Sequence, residues 1–345
     1  MLKARRFWLV LVALAATVTA ISVMTSERRL MSRAVGLTTF AADEPSFGYA
    51  WLSESTIAYQ RGPAFYRREL RTGHESLVKG FPILSQAEYF GGRERVRFSP
   101  DGRWLLWNNN GNLSARMVDG SKRLRWLGEN HPSLMEAVPD QPLWMPDSRR
   151  WVFPITKVSG RRFNLAALLM GSTDQPARID RADLQGTDVD TWSIVGVRQD
   201  RLLLELITNP HPHPPPVNSV ELAEVGFGPK RTPLRRFTVR LPFTANVQQV
   251  EASPRSDRLI WLLRYEEIPV FQRLLRRLYP SYQVSSRNLL GLWISRLDGS
   301  QMREIGHIVT GYPYTDDEPQ LFEWMPDDEH MSFVYRQKLY TVSIQ

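Results

Sequence analysis

The sequence contains no cysteine. Disulfide bridges, thiolate zinc sites and cysteine nucleophiles are therefore excluded. Lysine is scarce, with 6 lysines against 38 arginines and 36 acidic residues, and the net charge is only +8 over 345 residues. No run of five like charges occurs, so the basic tail typical of nucleic-acid binders is missing and we expect no nucleic-acid partner.

Several catalytic signatures are also missing. The chain has no P-loop, no dinucleotide glycine fingerprint, no His-Glu-x-x-His helix and no Gly-x-Ser-x-Gly elbow. The sequence therefore predicts no catalytic residue and no cofactor. Its 21 glycines and 24 prolines are too few for a disordered chain, and 42% of the residues are apolar, so the chain is a globular protein with a large core.

Residues 7–24 form an apolar stretch without a charge, preceded by Lys3, Arg5 and Arg6. As a helix it would reach about 27 Å, the lower limit for crossing a bilayer. We expect a signal anchor or transmembrane helix over 1–26 and a juxtamembrane segment over 27–43. The body would then lie outside the cytoplasm, in the periplasm of a Gram-negative cell. Cleavage after the small residues 18–20 is the alternative, and it would give a secreted protein.

A repeated phrase runs through the rest of the chain. It consists of an aromatic residue, a Pro-Asp turn and a strand of alternating apolar residues. The clearest copies are Phe-Ser-Pro-Asp-Gly at 98–102, Trp-Met-Pro-Asp-Ser at 144–148 and Trp-Met-Pro-Asp-Asp at 324–328. We interpret each phrase as a β-hairpin whose turn is formed by Asp101, Asp147 or Asp327.

The spacing of the phrases predicts the architecture. Six anchor residues lie 47, 46, 51, 57 and 72 residues apart, and they are Trp51, Phe98, Trp144, Val195, Ala252 and Trp324. Four strands per unit at this period indicate a six-bladed β-propeller of four-stranded antiparallel blades over 44–345, with insertions at about 209–231 and 265–288. The last unit reaches only its third strand at 339–343, so residues 35–40 are expected to supply the ring-closing fourth.

The Trp/Phe-Ser/Met-Pro-Asp-Gly/Ser phrase resembles the TolB-like β-propeller repeat, a WD40-like repeat of bacterial envelope proteins. Three copies match it well and three in part, over about 300 residues. The resemblance implies a propeller, but it constrains function weakly because propellers host both binding and catalysis.

Acidic residues precede the predicted inner strands and would surround the channel mouth. They are Glu94, Asp140, Asp188, Asp190, Asp316, Asp317 and Glu318. Such a mouth could bind a basic peptide, or a divalent cation through oxygen ligands. The alternative is that these acids only solvate loop tips, and no metal site is assigned.

The second insertion contains a basic amphipathic helix that ends before Pro280. One side carries Phe271, Leu274, Leu275 and Leu278, and the other carries Arg273, Arg276 and Arg277. The helix could lie on anionic lipid, cover the channel or fill a partner's groove. Packing on a blade edge with its arginines in water is the alternative.

These observations predict a membrane-tethered, extracytoplasmic binding module. Its partner would be a protein, peptide or polymer of the cell envelope, as the TolB-like resemblance implies. The alternative function is a propeller enzyme, a hydrolase, lyase or cyclase with a divalent metal at the acidic mouth. A catalytic channel would need at least three carboxylate or histidine side chains within reach of that metal.

Overall fold

The structure is a computed structural model. It describes residues 17, 29–41, 49–61, 64–78, 96–109, 112–126, 137–139, 142–159, 162–183, 192–199, 201–206, 215–226, 235–281, 283–310 and 318–345. The predicted anchor over 1–26 lies outside these ranges except for Thr17. Within them, no helix combines the length and apolar character needed to cross a membrane.

The chain folds into antiparallel sheets in a propeller arrangement. The first sheet contains β2 (Tyr49–Ser53), β3 (Thr56–Arg61), β4 (Ala64–Glu69) and β5 (Glu75–Leu77). The second contains β6 (Val96–Phe98), β7 (Trp104–Asn109), β8 (Asn112–Met117) and β9 (Arg123–Arg125). In the third, β10 (Ala137–Pro139) and β11 (Leu143–Trp144) both pair with β12 (Arg150–Ser159), followed by β13 (Arg162–Ser172) and β14 (Ile179–Asp183).

The fourth sheet has seven strands. They are β15 (Trp192–Arg198), β16 (Arg201–Leu206), β17 (Val217–Gly226), β18 (Arg235–Ala252), β19 (Arg258–Glu267), β20 (Arg287–Arg296) and β21 (Arg303–Thr310). The last sheet contains β22 (Gln320–Trp324), β23 (His330–Tyr335), β24 (Lys338–Ser343) and β1 (Val35–Thr39).

The expectation of six separate four-stranded blades is therefore met only in part. Among the described residues, four sheets follow a four-strand path, and the anchors Val195 and Ala252 lie together in one seven-stranded sheet. The reason is the 18-residue strand β18, whose first half pairs with β17 and whose second half pairs with β19. In addition, β17 lies inside the stretch expected to be the 209–231 insertion, because alternation of Val220, Leu222 and other apolar residues favours a strand there.

The Pro-Asp turns have the predicted form. In each turn the Asp carboxylate accepts hydrogen bonds from backbone N–H groups two or three residues further on, at Asp101, Asp147 and Asp327. The next residue lies in the left-handed region in all three turns, with φ of 68° at Gly102, 60° at Ser148 and 60° at Asp328. Asp and its hydrogen bonds thus set the hairpin geometry.

The turns also connect neighbouring sheets. The backbone N–H of Asp101 donates to the hydroxyl of Ser148 at 2.9 Å, from the second sheet to the third. The hydroxyl of Ser253 donates to the carboxylate of Asp328, from the fourth sheet to the last. A Cβ at Gly102 would lie 2.9 Å from Cβ of Leu52, so the first two sheets also approach closely at this face.

The core lies between the sheets. Alternating side chains of each strand pack on the sheets to either side, as in the pair of indoles of Trp126 and Trp151, 5.1 Å apart with their planes at 61°. Trp151, Trp261 and Phe333 are fully buried. Burial of one aromatic side chain removes about 150–250 Å² of surface from water. This interleaving of large apolar side chains is therefore the main source of stability.

The segment before β2 closes the ring. Strand β1 pairs antiparallel with β24, as expected for residues 35–40. The short helix α1 (Leu30–Arg33) precedes it and inserts Leu30 between β21 and the last sheet, where the side chain is 1% exposed. Arg33 Nη1 donates to the carbonyl of Ile305 at 2.6 Å, and Arg29 forms a parallel bridge with His307. Residues 29–39 therefore join the fourth and last sheets.

The second insertion contains a helix, α2 (Val270–Leu278), as the periodicity predicts. It connects β19 to β20. Its last turn is closed by the N–H of Tyr279, which donates to the carbonyl of Leu275 at 2.7 Å just before Pro280.

Candidate functional site

Polar side chains from β2, β6, β18 and β22 come together between four sheets, and we call the group the inner-strand cluster. β2, β6 and β22 are the first strands of their sheets, whereas β18 is the middle strand of the seven-stranded sheet. Its members are Tyr49 on β2, Arg97 on β6, Gln249 and Glu251 on β18, and Glu323 on β22. They come from four different sheets, so their proximity depends on the closed ring.

Two carboxyls of the cluster influence each other. Burial, and then the charge of Glu323, raise the pKa of Glu251 to about 8, while the Gln249 amide and Arg97 act in the opposite direction. Burial also raises the pKa of Glu323, against the effect of Arg97. Two ionised carboxylates repel each other in a poorly solvated place, so the Glu251–Glu323 pair favours a state that holds a proton.

Hydrogen bonds fix the cluster. The Gln249 amide donates to the Glu251 carboxyl at 2.5 Å and to the carbonyl of Phe322 at 3.4 Å, which links β18 to β22. Gln249 and Glu251 line a narrow crevice together with Ile260, Leu262 and Phe322. Apolar walls on one side of the carboxyl explain why burial is the largest cause of its raised pKa.

A hydroxyl network supports the cluster from the last sheet. The Ser332 hydroxyl is fully buried, accepts a hydrogen bond from Trp51 Nε1 at 2.7 Å and lies 2.7 Å from the Tyr49 hydroxyl. The Tyr49 hydroxyl also donates to the carbonyl of Leu321 at 3.0 Å. Burial and the Glu323 carboxylate both raise the pKa of Tyr49, so Tyr49 stays a neutral hydrogen-bond donor.

Most of the predicted acidic mouth lies outside the described residues. This applies to Glu94, Asp140, Asp188, Asp190, Asp316 and Asp317. Glu318 is described, and it forms a two-pronged ion pair with Arg264 of β19, with Nη–Oε distances of 3.0 and 2.5 Å. Both side chains are largely buried, at 13% and 14% exposure, so the ion pair joins the segment just before β22 to β19.

No three His, Asp or Glu side chains within the described ranges are grouped closely enough to hold a metal ion.

The predicted amphipathic helix corresponds to α2. Arg276, Arg277 and Leu278 are exposed, the last at 72%, and Arg273 Nε donates to the carbonyl of Ile268 at 2.9 Å. Leu275 is half-buried. Phe271 and Leu274 belong to the same helix. The helix therefore carries its arginines into solvent, as the amphipathic pattern indicates.

The inner-strand cluster escaped the sequence analysis, although a signal for it exists. Arg97, Glu251 and Glu323 each stand immediately before an anchor residue, Phe98, Ala252 and Trp324 respectively. Equivalent positions of propeller repeats occupy equivalent places around the axis. Alignment of the anchors would therefore have brought these three charges together.

No protein-family model matches the sequence, and no curated protein matches it. Among solved structures, the putative TolB from Agrobacterium tumefaciens is similar, with 11% identity and a TM-score of 0.45 over 86% of this chain and 90% of that one. The oligogalacturonate lyase from Vibrio parahaemolyticus shares 8% identity, with a TM-score of 0.44 over 92% of this chain and 93% of that one.

The tricorn protease is also similar, with 10% identity and a TM-score of 0.45. The match covers 86% of this chain and only 29% of the protease chain. The structural neighbours thus include TolB and other propeller proteins. Function has to be argued from the site.

Proposed function

We propose that the protein is a membrane-tethered binding propeller whose body lies outside the cytoplasm. The support for the tether is the uncharged segment 7–24 behind Lys3, Arg5 and Arg6, which follows the pattern of a signal anchor. The partner is a protein, peptide or envelope polymer that carries a cationic group. The inner-strand cluster is the site at which that group is bound.

The observation that carries the binding proposal is the Glu251–Glu323 pair. A lysine or arginine side chain placed beside these carboxyls would remove their mutual repulsion and release the proton held by Glu251. Binding of a cation is therefore linked to proton release, and affinity should increase as the pH rises toward 8. Gln249 and Tyr49 add hydrogen-bonding groups that orient the ligand.

We also propose that the propeller has six blades. The seven-stranded sheet serves as two blades, one formed by β15–β17 with the first half of β18 and one by the second half of β18 with β19–β21. With the other four sheets this makes six blades. The pairing registers support this division, because β18 contacts β17 over residues 235–245 and β19 over residues 246–252.

The test is binding of fluorescent hexapeptides to the full chain in detergent, measured by anisotropy. The probes are lysine-rich, neutral and glutamate-rich peptides of one length. We expect binding of the lysine-rich peptide, at least tenfold weaker in Glu251→Gln/Glu323→Gln and tighter at pH 8 than at pH 6. Glu329→Gln is the matched control, because Glu329 is an exposed turn residue. Equal binding of all three peptides would refute the proposal.

An enzymatic function is the second candidate, and one observation favours it. A carboxyl that is protonated at neutral pH can act as a general acid in hydrolase or lyase chemistry, and Glu251 has this property. The test is chromophore release from nitrophenyl glycosides and amino-acid nitroanilides between pH 5 and 9. Activity that declines above pH 8 and disappears in Glu251→Gln would support it. This pH trend is opposite to that expected for cation binding.

A further inference from the structure

The edge of the seven-stranded sheet carries an unusual surface. Five large hydrophobic side chains are strongly exposed among the described residues. Leu278 and Tyr279 lie at the end of α2, at 72% and 63% exposure. Val309, at 48%, lies on β21, and Val35, at 61%, begins β1 of the last sheet, two residues after the helix α1 that docks on β21. Leu77 lies on the first sheet.

The strand register places these residues on one side of the molecule. Glu267, where β19 leads into α2, pairs with Arg287, and the adjacent Asn288 pairs with Thr310 at the end of β21. Arg29 bridges His307, three residues before that end. With about 3.3 Å per residue and about 4.8 Å between strands, Arg29 lies roughly 20 Å from Glu267, at the base of α2.

The same side is basic. Residues 268–286 contain three arginines, Arg273, Arg276 and Arg277, and no acidic residue. Arg273 also lies 3.9 Å from Glu267, a carboxylate that pairs at 2.8 Å with Arg287. Arg276 and Arg277 are exposed. An exposed leucine and tyrosine beside exposed arginines match an interfacial helix, whose apolar side chains enter the acyl boundary while its arginines reach phosphate groups.

The chain leads from the apolar segment to this side. Segment 7–24 ends five residues before Arg29. Five residues span at most about 18 Å. An anchor in the bilayer would therefore hold Arg29, and with it the edge formed by β21 and α2, close to the membrane surface.

We propose that α2, together with Val309 and Val35, is the membrane-facing surface of the propeller and lies on anionic lipid. This inference rests on the membrane tether of the proposed function. It adds an orientation, in which the anchor and α2 hold the propeller at two points. Each of the three arginines contributes attraction to anionic headgroups, and Leu278 and Tyr279 insert beside them.

The absence of cysteine makes the test direct. Leu278→Cys is labelled in the full chain with an environment-sensitive fluorophore. The labelled chain is reconstituted into phosphatidylcholine nanodiscs with or without phosphatidylglycerol. A phosphatidylglycerol fraction of roughly 30% gives the discs a clear negative surface charge. We expect a blue shift of emission and quenching by lipid-borne spin labels in the anionic discs. Leu77→Cys, at 52% exposure on the first sheet, is the matched control and should stay in water.

The outcomes separate the two proposals. If alkaline carbonate extracts the chain from vesicles, the membrane tether is refuted. If the chain resists extraction but the Leu278→Cys label is as exposed as the Leu77→Cys label, the orientation is refuted and the tether stands. Two outcomes would refute recognition of anionic lipid. In one, the label stays shielded after replacement of Arg273, Arg276 and Arg277 by Gln. In the other, the label is shielded equally in neutral discs.

Discussion

The indole of Trp51 donates a 2.7 Å hydrogen bond to the hydroxyl of Ser332, across the junction between the first and last sheets. The two residues are 281 positions apart in the chain. The Tyr49 hydroxyl lies 2.7 Å from the same hydroxyl, so one buried serine contacts the polar atoms of two aromatic side chains. The junction therefore depends on polar as well as apolar contacts.

Replacement of Ser332 by alanine should lower the free energy of unfolding by about 2–4 kcal/mol, because the Trp51 N–H and the Tyr49 hydroxyl both lose a buried partner. Chemical denaturation measures this change. Ser121→Ala is the control, since Ser121 lies in an exposed turn, and it should cost less than about 0.5 kcal/mol. Similar effects of the two substitutions would mean that the network does not stabilise the junction.

Glu251 predicts a pH dependence of stability. Its pKa in the folded chain is about 8, above the value of about 4.3 for an unfolded glutamate, so the folded chain binds more protons between these values. Stability should therefore fall as the pH rises from 5 to 8. Glu251→Gln should flatten this slope and exceed the wild type by about 1–3 kcal/mol at pH 8 in thermal or urea unfolding. An unchanged slope would show that Glu251 titrates normally.

Leu30 predicts the strength of the ring closure. Truncation of this buried side chain in Leu30→Ala should cost about 2–4 kcal/mol, because a cavity is left between β21 and the last sheet. The neighbouring Val35 is 61% exposed, so Val35→Ala should cost less than about 1 kcal/mol. Unfolding in detergent at fixed lipid content compares the two. Equal costs would contradict docking of α1.

The Arg264–Glu318 pair predicts a strong single-residue effect. Glu318→Gln removes the negative charge of a largely buried ion pair and should cost about 2–4 kcal/mol. The pair of Arg178 with Asp180 is exposed, so Asp180→Asn should cost less than about 0.5 kcal/mol. A double-mutant cycle with Arg264→Met measures the coupling, and a coupling below that of the exposed pair would refute the assignment.

The hairpins were predictable because their signal is local. A Pro-Asp turn is specified by consecutive residues. As expected, the carboxylates of Asp101, Asp147 and Asp327 accept hydrogen bonds from backbone N–H groups of their own turns. The pairing of β1 with β24 followed from the missing fourth strand of the last unit. Both inferences need only the period of the repeat and the rule that strand edges are paired.

The seven-stranded sheet and the site were not predictable in the same way. Pro242 and Asn246 stand close to the point where β18 passes from one partner to the next, and the strand nevertheless continues, so its continuity depends on tertiary pairing. Glu251 and Glu323 each sit in an apolar strand and resemble ordinary solvent-facing positions when taken alone. Their interaction arises only when sheets that are distant in sequence meet at the axis. Of the predicted acidic mouth, only Glu318 is described, and an arginine engages it.

Strand β18 belongs to two neighbouring groups of strands at once, with no loop between them. A hinge needs a segment that can bend without breaking hydrogen bonds. Such a segment is missing at this junction, because β17, β18 and β19 are hydrogen-bonded in one continuous sheet. A pull on residues 29–33, which contact β21, would be carried through β20, β19 and β18 to β17 without leaving the hydrogen-bonded sheet. Any opening of the ring under load should therefore begin elsewhere, at a junction where separate sheets meet through side chains alone.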